Sequence, residues 1–76
     1  MSRQLARSEV EYIIARLVKN ANDSAIEAKE TPCEFNKGRK QAYYEVLDTI
    51  KNELTFREQN LQDYGYEKDW EKNLMF

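Results

Sequence analysis

The sequence predicts an all-α protein: an antiparallel hairpin of two long helices with a short C-terminal helical tail, closing into a four-helix bundle as a dimer. Apolar residues recur at steps of three and four along two long stretches, the periodicity of half-buried helices. A Thr31-Pro32 pair separates the two stretches. Only two glycines and one proline occur in 76 residues, which leaves no flexible linker. One domain is expected, with a first helix over about 8–29, a turn over 30–36, a second helix over about 37–64 and a tail over 66–76.

The first helix has the spacing of a capping box at Ser8-Glu9-Val10-Glu11, with Ser2 as an alternative earlier cap. Ile13, Ile14, Leu17, Val18, Ala21, Ala25 and Ala28 then form one stripe. Thr31 ends the helix, because the residue before a proline is pushed out of helical geometry. Asn36 is a cap for the second helix. Tyr43, Val46, Leu47, Ile50, Leu54, Leu61 and Tyr64 make its stripe, interrupted by Arg57, and Gly65 is its natural stop. A short connection makes the helices antiparallel neighbours, with Ala21 toward Val46 and Leu47, Leu17 toward Ile50, and Ile14 toward Leu54. The tail carries Tyr66, Trp70 and Leu74 at spacings of four, then Met75 and Phe76. It is too short to hold alone, and packs on its own hairpin or on a neighbour.

Domains of this size bury little apolar surface. The lone Cys33 rules out an internal disulfide, and with no histidine the chain lacks the usual ligands of structural zinc, so no metal or other cofactor is expected. Association is the remaining remedy. Tyr12 and Ile26 project opposite the first stripe and Phe56 opposite the second. With Tyr44, Trp70 and Leu74 they form the expected interface, to a second copy first and then to another protein.

Charged residues make up 34% of the chain with a net charge of −2, which exerts no global pull on nucleic acid. Lys37, Arg39 and Lys40 flank Gly38 at the expected start of the second helix, where a phosphate could be met. That cluster supports an alternative function, a nucleic-acid-associated accessory protein. It ranks second because no basic stripe continues from it: Arg3 and Arg7 lie at the far end of the hairpin. Without histidine, and with no base beside Cys33, no catalytic constellation is present and the chain reads as a non-enzyme. No apolar run is long enough for a membrane span, and the unpaired thiol suits a cytoplasmic setting.

The segment FNKGRKQAYYEVLDTIKNEL, residues 35–54, resembles short, uncharacterised helical proteins of bacterial prophages and mobile elements. The resemblance covers about a quarter of the chain. It implies a small helical hairpin in a bacterial cytoplasm and carries no functional residue across.

Overall fold

The computed structural model describes residues 4–74, apart from the side chain of Asn73; Ser2, Arg3, Met75 and Phe76 lie outside that range. The described residues are all-helical: α1 spans Arg7–Glu30, α2 spans Glu34–Phe56, a 3₁₀ turn spans Leu61–Tyr64, and α3 spans Trp70–Leu74. The two long helices form the hairpin.

α1 begins ahead of the expected cap. Ala6 is the N-cap, and having no side-chain acceptor it makes only half of a capping box: the Glu9 carboxylate accepts from the Ala6 amide at 3.0 Å. Ser8 therefore lies inside the first turn. At the other end the Thr31 amide donates to the Glu27 carbonyl at 2.7 Å, and Pro32 prevents further helix.

α2 starts at Glu34 with Cys33 as N-cap, so the connection is only Thr31 to Cys33. Asn36 is not the cap. Its side-chain amide reaches back to the Thr31 carbonyl at 2.9 Å, bracing the turn from within the helix. Gly38 becomes the fifth residue of α2, beyond the amides that a helix start leaves free for an anion.

The second helix ends at Phe56, eight residues before the expected Tyr64. The Glu58 amide donates to the Thr55 carbonyl and the Gln59 amide to the Leu54 carbonyl, with Glu58 at a φ of 57°. This is a Schellman stop with glutamate where glycine is usual. Arg57, the break in the apolar stripe, was the trace of it in the sequence.

Beyond the stop, Asn60 caps the 3₁₀ turn by accepting from the Gln62 amide at 3.0 Å. Gly65, with a φ of 88°, turns the chain onto α1. A Cβ there would come within 2.8 Å of the Ala15 Cβ and 2.9 Å of its Cα. Gly65 thus ends the 3₁₀ turn rather than α2, and its missing side chain is what lets the tail approach α1.

The tail then crosses both long helices. Tyr64, Tyr66, Trp70 and Leu74 join Ile14, Val18, Ala21, Ala25 and Leu47 in the buried core. Trp70 sits between two rings: Tyr44 stacks on it at 6.0 Å and Tyr66 meets it edge-on at 4.9 Å. The Tyr66 hydroxyl donates to the Leu47 carbonyl at 2.7 Å, anchoring the tail to the middle of α2. At the opposite end Arg7 pairs with Asp63 at 3.1 Å and lies over the Tyr64 ring.

Candidate interaction surfaces

The tail covers one side of the hairpin. Ala15, under Gly65, marks that side on α1, and Tyr44, under Trp70, marks it on α2. Two residues along a helix is a rotation of about 200°. Ile13 and Val46 therefore point to the side away from the tail, and they are 47% and 49% exposed. The structure thus moves Val46 out of the expected seam, because the apolar stripe on α2 is wider than its contact with α1.

Of the residues expected at an interface, the structure removes two. Trp70 is 5% exposed and Leu74 is buried, both within the chain's own core. The ring partners of Trp70, Tyr44 and Tyr66, are intramolecular, and Leu74 is packed in the same core, so neither offers a surface to another molecule. Tyr44 is half-buried beneath Trp70. Tyr12 and Ile26 are more than half exposed, on the back of α1, and Phe56 is 82% exposed at the end of α2. Tyr12 and Ile26 lie about 21 Å apart along the helix, so they make two separate spots.

The apolar surface that sequence reasoning missed runs along the open edge of α2. Phe35 is 76% exposed and stands eleven residues before Val46, on nearly the same helical phase. Phe56 stands ten residues after it, turned about 80° toward the outer edge. Placing the helix start at 37 left Phe35 in the turn, which hid this row. Arg39 and Arg57 share the same edge. Each is paired internally, Arg39 with Glu27 at 2.6 Å and Arg57 with Glu53 at 2.5 Å.

The cations expected to meet an anion are split by the hairpin. Arg39 goes to the open side, where it pairs with Glu27 and lies over the Tyr43 ring. Lys37 and Lys40 turn to the other side and line a groove of about 630 Å³ with Ala28, Lys29, Pro32 and Gln41. Lys29, in the last turn of α1, was missed because only the fold brings it across the turn to Lys37 and Lys40. Lys40 is buried, and burial, with a smaller contribution from the charge on Lys37, lowers its pKa below the ordinary lysine value.

No helix among the described residues is long and apolar enough to cross a membrane. No family model matches the chain, and no curated protein or solved structure matches it either.

Proposed function

We propose that this chain is a small helical association module that works by binding, with a second copy of itself as first partner. The observation that carries the reading is the pattern of the open edge of α2, which is self-complementary about Val46. In a two-fold pairing of antiparallel α2 helices centred there, positions equally far before and after Val46 face each other. Arg39 lies seven before and Glu53 seven after, so opposite charges meet twice. Ala42 lies four before and Ile50 four after, small against large. Phe35, eleven before, falls opposite Arg57, eleven after, with the other copy's Phe56 one residue away, so an exposed aromatic from each copy lies near each end.

Such a pairing sets hairpin face on hairpin face and makes a four-helix bundle, with the two tails on its outside. Ile13 and Leu17 of α1 enter the same layer. Tyr12 and Ile26 stay on the outside, where a different protein could use them. A bacterial cytoplasm is the setting suggested by residues 35–54 and the unpaired thiol.

Molar mass by light scattering across a dilution series tests the proposal. The wild-type chain should weigh twice the monomer at about 100 μM, a concentration at which even a weak micromolar dimer is assembled. Val46→Glu should weigh one monomer and keep its helical circular dichroism. A wild-type monomer at that concentration ends the reading.

A further inference from the structure

The geometry points to a binding site for a small phosphate-bearing ligand in the groove between the end of α1 and the start of α2, held by Lys29, Lys37 and Lys40. These three lysines come from two helices, and with Ala28, Pro32 and Gln41 they line one open groove of about 630 Å³. That space suits a ligand of nucleotide size or smaller. Lys29 and Lys37 form no ion pair among the described residues, and neither Glu30 nor Glu34, the acids nearest in sequence, pairs with them. Like charges held around one groove repel, and an anion with several oxygens replaces that repulsion with charge-assisted hydrogen bonds.

A small ligand fits better than a nucleic-acid strand. The remaining cation of the turn, Arg39, lies beside Glu27 on the opposite side of the hairpin, so the positive surface stops at the edges of the groove. Gly38 offers no free amide, so the ligand would be read by side chains rather than cradled by backbone.

The test is a titration of the full chain with pyrophosphate, followed by amide chemical shifts at constant ionic strength. Shifts should concentrate on Ala28, Lys29, Lys37, Lys40 and Gln41 and saturate below millimolar concentration. Lys29→Gln and Lys37→Gln, both on the surface and neutral to folding, should each weaken binding about tenfold. Arg39→Gln should change it by less than about twofold, because its guanidinium faces away. Absence of saturable shifts overturns the proposal. So does equal loss in Arg39→Gln, which would mean diffuse attraction rather than a site. Tighter binding of a single-stranded oligonucleotide than of pyrophosphate, with Arg39 required, would overturn it in favour of nucleic acid.

Discussion

Glu58 holds a backbone conformation that L-residues adopt at a cost, with a φ of 57°, because the Schellman stop of α2 needs a left-handed residue at that position. Gly38 shows the reverse misfit: it sits inside α2, and a Cβ there would meet nothing within 4 Å. Glu58→Gly and Gly38→Ala are therefore each expected to raise the free energy of unfolding by about 0.5–1 kcal/mol, measured by urea titration. Tyr66 ties residue chemistry to pH. Burial, with a smaller contribution from Asp48, pushes its hydroxyl up to about 12, against about 10 in the unfolded chain. The folded state then holds the proton more tightly, so this contribution is complete below pH ~10 and falls away as pH rises toward ~12. Tyr66→Phe should lose about 1 kcal/mol at neutral pH with its hydrogen bond to Leu47, and should show a flatter decline than wild type above pH ~10.

At the scale of elements, the tail depends on the hairpin for its order. α3 has five residues, far below the length at which a helix stands alone. Its position follows from one backbone approach, Gly65 on Ala15, and from the ring contacts of Trp70, stacked with Tyr44 and edge-on to Tyr66. Gly65→Ala combines a left-handed φ with a collision against α1 backbone, and should cost about 2–4 kcal/mol. Undocking should appear as increased tryptophan exposure to a quencher, ahead of global unfolding. If the variant melts like wild type with Trp70 still shielded, the close approach is not what seats the tail. The same packing explains why the expected long second helix stops early. The apolar residues Leu61 and Tyr64 continued the helical period, yet both now serve the 3₁₀ turn that redirects the chain across α1. Periodicity reported that these residues are buried, and could not report on which element.

The whole molecule is a slab. Its Cα extents are 42 × 29 × 15 Å and its radius of gyration is 13.6 Å, against about 11 Å for a compact domain of this length. Leu47 and Ser24 are the largest side chains with less than 2% exposure, so the core is one thin layer. The open side carries Ile13, Val46, Phe35 and Phe56, and a second slab laid on it would bring the assembly toward the proportions of a four-helix bundle. The proposed Arg39–Glu53 contacts give this scale its own prediction. Arg39→Glu and Glu53→Arg should each weaken the dimer, by about tenfold for the two symmetric contacts together, and the double variant should restore most of the loss. Sedimentation equilibrium on the three variants reads this directly, and additive losses would remove the pairing about Val46.

By itself the amino-acid sequence determined the helical class, the hairpin with its break at Thr31-Pro32, and the stripes that meet inside it. Those features are local: hydrophobic period, proline geometry and chain length settle them before any distant contact forms. The tertiary structure alone decided that Trp70 and Leu74 belong to the chain's own core, that Arg39 parts company with Lys37 and Lys40, and that Lys29 joins them. The first of those outcomes depends on which side of the hairpin the tail covers, and the other two on how α1 and α2 face each other across the turn. That side was chosen by a close backbone approach at Gly65 and a hydroxyl reaching Leu47, contacts between residues far apart in the chain that no local period encodes.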